Sequence, residues 1–217
     1  ATTAFEPAIH PDRQGFELLS RYQIPCETPF FSHSEEDVMR AAARIGYPVV
    51  MKAISPDFTH KSAAGAVMLG IENEAELRET MRKMKDRLAA QGARLSDFLL
   101  QKMVPPGPEI FLGGKQDPHY GPVLILGQGG TKVESHDRFL TALAPLSPET
   151  AEDMLNRLEG KTLNLGDCLS ELIRILVKFS ELLCDNPHVE EIDLNPLRLL
   201  PEKGEIKALD VRLLLQK

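Results

Sequence analysis

Residues 189–213 read VEEIDLNPLRLLPEKGEIKALDVRL. Glu191, Asp193 and Asn195 alternate with Ile192 and Leu194, and a period of two puts the three polar side chains on one face of a strand. Pro201-Glu202-Lys203-Gly204 then turns the chain back. Symmetric pairing about that turn sets Asn195 opposite Asp210 and Asp193 opposite Arg212. Directly opposed residues bring their Cβ atoms to roughly 4.5–5.5 Å. An amide oxygen and a carboxylate at that separation can share a magnesium ion, which takes hard oxygen ligands and completes its shell with water and phosphate oxygens. A plainer reading stands beside this one. Asp193 and Arg212 form a cross-strand ion pair of modest value, and Asn195-Pro196 marks a turn, since proline disfavours a central, fully paired strand.

Upstream of this hairpin the pattern is mixed α/β. Residues 13–22 read as a helix ended by Ile24-Pro25. Ser34 followed by Glu35, Glu36 and Asp37 starts a second helix that stops at Gly46. VVMKAI (49–54) is a β-branched strand and AVMLGI (66–71) a second strand. Residues 73–91 carry Leu77, Met81, Met84 and Leu88 at helical spacing. DFLLQKMV (97–104), EIFLGG (109–114) and PVLILG (122–127) follow as strands. Helices begin at Ser147-Pro148 and at 168, the second running to 185. The Pro105-Pro106-Gly107 break divides the chain into an expected N-terminal lobe (1–103) and C-terminal lobe (104–217).

Lys52 lies inside an apolar strand, with Val50 and Ile54 on its own face. An unpaired buried ammonium is expensive, so Lys52 either reaches out at the sheet margin or meets a fixed anion such as a phosphate. Gln101-Lys102-Met103-Val104 ends a strand just before the break, where backbone groups can read the edge of a base. Glu109, on the next strand, is placed to bond a ribose or a metal. Gly127-Gln128-Gly129-Gly130 follows a strand and lets backbone amides approach phosphates, although it is neither a Walker loop nor GxGxxG. His60 sits in the loop SPDFTHKS. It is either simply exposed or a nucleophile able to carry a phosphoryl group.

The formal net charge of −7 argues against a nucleic-acid binder, but not against a small anion held by a local cluster of donors. The three cysteines, Cys26, Cys168 and Cys184, are far apart and show no metal-ligand spacing, which fits a reducing cytoplasm. The apolar runs are too short to span a bilayer, and the start has no signal-peptide pattern, so no membrane association is expected.

YPVVMKAISPDFTHKS, LLQKMVPPGPEIFLGG, DPHYGPVLILGQGG and EIDLNPL with a later LDV occur together and in order. From about Gly15 to Leu213 the chain resembles the ATP-grasp (β) subunit or domain of ADP-forming acyl-CoA synthetases, the acetate–CoA ligase (ADP-forming) family, relatives of succinyl-CoA synthetase. The resemblance implies an ATP-grasp fold with a nucleotide cleft between two lobes, and Mg²⁺ and ATP/ADP as cofactors. It implies that Lys52 contacts ATP phosphates, that Gln101, Lys102, Met103 and Val104 form the adenine hinge, and that Glu109 lies in the nucleotide pocket. Gly129 and Gly130 would approach the phosphates, and Asn195 and Asp210 would hold the metal. His60 would carry phosphate between a CoA-ligase (α-type) partner subunit or domain and the nucleotide, and Glu134, after the glycine loop, would take part in catalysis. The chain departs from the family pattern at Ala63 and Ala66, and at Ala142, where the family carries an arginine. These departures keep a second reading open: a non-catalytic or regulatory ATP-grasp module of a larger fusion such as a lysine acetyltransferase. A third reading, an ATP-grasp ligase that activates a carboxylate directly, has no use for the HKS loop.

Overall fold

The VVMKAI run forms β2 (Val49–Ile54), flanked by β4 (Asp97–Lys102) and β3 (Val67–Ile71) in an antiparallel sheet that β1 (Phe30–Ser32) completes in the order β1-β4-β2-β3. Alternation turns Val49, Met51 and Ala53 of β2 and Phe98 and Leu100 of β4 toward two helices, α2 (Glu35–Ile45) and α3 (Glu74–Ala90). There they form one core with Val38, Ala41, Ala42, Leu77, Met81, Met84 and Leu88. Fully burying a side chain of this size stabilises by about 1.5–3 kcal/mol. The Ser34 hydroxyl caps α2 by accepting the Asp37 N–H at 3.3 Å, and the Asn73 amide oxygen caps α3 by accepting the Glu76 N–H at 2.9 Å. Gly46 ends α2 at φ 77°, a left-handed position that suits glycine.

This computed structural model describes residues 11–57, 67–129, 139–159 and 165–216. They fall into two units: Glu27–Val104, just outlined, and a second built from the residues up to Cys26 together with those from Pro105 onward. The boundary at Pro105 lies one residue from the expected lobe division. The N-terminal segment is assigned differently, because α1 (Pro11–Arg21) packs on the last strand of the second unit. Phe16, Leu18 and Leu19 are buried, and Gly15 lies so close to Val211 that an added Cβ would come within 2.8 Å of Val211 Cγ1.

In the second unit six strands form one sheet. Its path is β10 (Val211–Leu215), β8 (Val189–Leu200), β5 (Glu109–Asp117), β6 (Gly121–Gln128) and β7 (Phe139–Leu143), with β9 (Glu205–Ala208) also paired to β8. Every pairing is antiparallel. Helix α5 (Leu169–Asp185), preceded by a 3-10 turn, buries Leu172, Ile175, Leu176, Phe179, Leu182 and Leu183, and packs on β5 and β6. Contact there is close: a Cβ on Gly114 would stand 2.5 Å from Leu183, and the Gln116 side-chain amide donates to the Leu183 carbonyl at 2.9 Å. Helix α4 (Pro148–Glu159) packs on α5.

Two details differ from the sequence reading. The last segment, read as one strand, breaks at Leu209-Asp210 into β9 and β10, both of which pair with β8. Strand β8 is also central, with Pro196 inside it. The proline is accommodated because the β5–β8 register shifts opposite it, between Ile110 and Leu112, so that no regular ladder bond is asked of a residue without an N–H. Cys26, Cys168 and Cys184 are free thiols. No helix among the described residues is long and apolar enough to cross a membrane.

Candidate functional site

Ile110, Leu112 and Gly114 of β5 face α5, so Glu109, Phe111, Gly113 and Lys115 occupy the opposite face of the sheet. Ile192 pairs with Gly114 and Leu194 with Leu112, which leaves Glu191, Asp193 and Asn195 on that same opposite face. The hairpin register is the one the sequence implied. Arg212 stands opposite Asp193, and the Asn195 N–H donates to the Asp210 carbonyl at 3.3 Å. Asn195 is exposed and Asp210 half-buried, with one Asp210 carboxylate oxygen accepting the Val211 N–H at 3.1 Å.

Beside this pair lies a strongly perturbed carboxyl group. Burial pushes the Asp193 pKa up to about 7, helped by a hydrogen bond and the negative charge from Glu191 and opposed by Arg212. The Arg212 guanidinium is 3.1 Å from Glu191 and 3.7 Å from Asp193. Gly113 makes room for Asp193, because a Cβ there would meet its Oδ1 at 2.8 Å.

Among the described residues no group of three or more His, Cys, Asp or Glu side chains is gathered as a metal site. Asn195 carries an amide oxygen and Asp210 a carboxylate, both hard donors of the kind magnesium takes alongside phosphate and water oxygens.

Glu109 is held by an ion pair between its Oε1 and Arg198 Nη2, while Arg198 Nη1 donates to the Pro105 carbonyl at 2.9 Å. The Arg198 Nε is buried without a hydrogen-bond partner among the described residues. Sequence alternation did not single out Arg198. Strict period-2 reading from Asn195 puts residues 197 and 199 on its face, but the irregularity at Pro196 shifts the phase. Leu197 and Leu199 are fully buried, and Arg198 pairs with Glu109. The signal available in the sequence was the Leu-Arg-Leu alternation after Pro196. Gly129 donates its N–H to the Glu109 carbonyl at 2.8 Å, and a Cβ on it would press on the Glu109 backbone at 3.0 Å.

In the Glu27–Val104 unit, Lys52 is 5% exposed and lies on the sheet face away from α2 and α3, opposite Leu99 in the β2–β4 register. Gln101 shares that face, and its side-chain amide donates to the Glu27 carbonyl at 2.8 Å. Lys102 points the other way, with its ammonium donating to the Gly46 and Tyr47 carbonyls, each at 2.8 Å. Its charge thus serves the C-terminal end of α2. The Met103 N–H donates to the Pro48 carbonyl at 3.1 Å, and Val104 is buried.

His60, Gly130 and Glu134 lie outside the described residues, as do Ala63 and Ala66. Ala142 is described, and its position bears on the departure noted there. It pairs with Leu124, which pairs with Gly114 on the α5 side. Ala142 therefore shares the α5 face, opposite the one that carries Asp193 and Asn195.

A family model described as an ATP-grasp domain matches residues 8–215. The chain belongs to the ATP-grasp family. Within this family it is 32% identical over 217 residues to the acetate–CoA ligase [ADP-forming] I subunit beta of Pyrococcus furiosus, covering 96% of this chain and 92% of that one. It is 33% identical to the 4-hydroxybutyrate–CoA ligase [ADP-forming] of Nitrosopumilus maritimus, over 93% of this chain but only 30% of the relative's length. The dinucleotide forming acetyl-coenzyme A synthetase 1 of Ca. Korarchaeum cryptofilum, solved with coenzyme A and Ca-AMPCP, superposes with a TM-score of 0.86 at 30% identity, covering 94% of this ATP-grasp chain and 92% of that chain. The same protein solved with coenzyme A and Mg-AMPPCP, its phosphohistidine segment pointing towards the nucleotide binding site, superposes at 0.80 with 28% identity over 94% and 92%. This ATP-grasp chain thus stands among the ADP-forming acyl-CoA ligases, as a counterpart of their β subunits. The regulatory-module reading is not favoured by these relatives.

Proposed function

We propose that this chain binds a magnesium nucleotide and moves its terminal phosphoryl group to and from a histidine, as the nucleotide-handling part of an ADP-forming acyl-CoA ligase. The observation that carries the reading is the backbone hydrogen bond from the Asn195 N–H to the Asp210 carbonyl, which sets the two residues side by side next to Asp193. Asn195 and Asp210 would hold Mg²⁺, which neutralises phosphate charge. Glu109 is assigned to the ribose, and Gly129 and Gly130 to the phosphates through their backbone. Of the other unit's residues, Lys52 is assigned to phosphate and the 101–104 backbone to adenine. Because Met103 spends its N–H on Pro48, the base-reading groups in that segment are its other peptide units.

His60 and Glu134 are assigned to phosphoryl transfer. In the direction of acid activation, the lone pair of the unprotonated imidazole nitrogen forms an N–P bond as the β–γ phosphoanhydride breaks and ADP leaves with the bridging oxygen. The phosphoryl group then passes to a carboxylic acid as an acyl phosphate, and the CoA thiol displaces inorganic phosphate. Those later steps are assigned to a CoA-binding, α-type partner subunit or domain in the cytoplasm.

Calorimetry with Mg-ADP tests the nucleotide site: Asn195→Ala with Asp210→Ala abolishes the magnesium-dependent part of the affinity, and unchanged affinity in the double variant would sink the assignment. Mixing the chain with a CoA-binding partner tests the reaction, through ADP release that requires both CoA and an acid.

A further inference from the structure

We infer that Arg198 is a positioning residue for the nucleotide, holding Glu109 and the segment before it in the geometry that reads the ribose. The inference rests on the assignment of Glu109 to the nucleotide made above.

The five residues Pro105–Glu109 are bracketed by one side chain. Arg198 Nη1 takes the Pro105 carbonyl at 2.9 Å, and Nη2 pairs with Glu109 Oε1. Between these anchors the segment is laid along β8: the Leu199 N–H donates to the Pro108 carbonyl at 2.9 Å, and Gly107 approaches so closely that a Cβ would lie 2.1 Å from the Leu199 carbonyl oxygen. Only a residue without a side chain fits there. Glu109, Arg198 and Lys207 form one row across β5, β8 and β9, an anion followed by two cations.

The arrangement does more than pack. The Arg198 and Glu109 side chains are 17% and 23% exposed, so the pair is removed from much of the screening that makes surface ion pairs weak. The Arg198 Nε is buried without a partner among the described residues, a cost that accompanies aiming both Nη atoms at Pro105 and Glu109. With Oε1 fixed by the guanidinium, the carboxylate presents Oε2 in one orientation. A vicinal diol donates to a carboxylate oxygen fixed in this way, and fixing it beforehand removes the entropy of ordering it on binding.

The test measures discrimination, not affinity alone. The full chain is titrated with Mg-ADP and with the magnesium complex of 2′,3′-dideoxy-ADP, which lacks both hydroxyls. The unsubstituted chain prefers ADP by about tenfold, the worth of a hydrogen bond to a charged group. In Arg198→Met the preference falls to about one. Arg198→Lys, which keeps the charge but not the two-pronged contact, falls between and serves where the methionine variant folds poorly. Glu109→Gln combined with Arg198→Met discriminates no less than Glu109→Gln alone, as expected if the arginine acts through Glu109.

Equal weakening toward both nucleotides, or a preserved preference in both Arg198 variants, overturns the inference. An unsubstituted chain that binds no Mg-ADP fails before any substitution is made. That result overturns the nucleotide assignment itself, and this inference with it.

Discussion

Asn195 donates its backbone N–H to the carbonyl of Asp210 at 3.3 Å, joining two residues fifteen positions apart at the junction where β10 begins to pair with β8. The bond fixes which side chains are neighbours on the ladder. Asp210→Asn keeps the shape and removes the charge. It is expected to weaken Mg-ADP binding about tenfold or more while leaving binding of ADP in EDTA within twofold, as calorimetry would read. A charge-assisted oxygen ligand is worth more than a neutral one.

Asp193 links pH to stability. Its carboxyl is raised from 3.8 to about 7 in the folded chain, by burial first and by Glu191 second, with Arg212 opposing. Between these values the folded state holds a proton that the unfolded state has lost. The unfolded chain therefore binds fewer protons, and stability falls as pH rises from about 4 to about 7, then levels off. Asp193→Asn is expected to flatten that slope in melting temperature measured from pH 5 to pH 8. For a chain of this length about 1 kcal/mol corresponds to roughly 2–4 °C. An identical slope in the variant would refute the assignment.

Two glycines on neighbouring strands should respond unequally to alanine. A Cβ on Gly114 would meet fully buried Leu183 at 2.5 Å, whereas on Gly127 it would meet Phe139 at 2.4 Å, a side chain that is 40% exposed. The buried leucine has nowhere to move and the half-exposed ring can swing out. Gly114→Ala is expected to cost about 1–3 kcal/mol in chemical denaturation, and Gly127→Ala clearly less.

Ala142→Arg tests whether the family's arginine is simply missing. The position shares the α5 face with buried Leu124, so a guanidinium introduced there meets an apolar layer. The variant should melt lower and gain no phosphoryl-transfer activity when assayed with a partner. A gain in activity would show that the side chain reaches the opposite face.

Ser180 is a buried hydroxyl that accepts the Leu146 N–H at 2.9 Å and donates to the Val177 carbonyl at 2.7 Å. Ser180→Ala leaves the Leu146 amide without its acceptor and is expected to cost about 1–3 kcal/mol in denaturant unfolding.

Local pattern alone determined a good deal of this protein. Period-2 alternation placed Glu191, Asp193 and Asn195 on one face, and a tight turn fixed which residues of the returning chain could stand opposite them. Capping residues Ser34 and Asn73 start their helices where short-range hydrogen bonding says they should, because a cap needs only the next three residues. Four quoted motifs in order were enough to mark the ATP-grasp resemblance. What local pattern could not carry was set by contacts between distant segments. Strand β8 is an interior strand of its sheet although it contains Pro196, because its pairing with β5 shifts register there. That shift reverses the alternation and brings Arg198 to Glu109, 89 residues away. Helix α1 belongs with β10, at the opposite end of the chain, because its buried face finds Val211 there. Ala142 faces α5 and not Asn195, a fact fixed by the pairing of β7 with β6 and by α5 packing on the sheet. In each case the physical reason is the same: a strand's alternation is local, but its phase and its neighbours are set only when the sheet assembles.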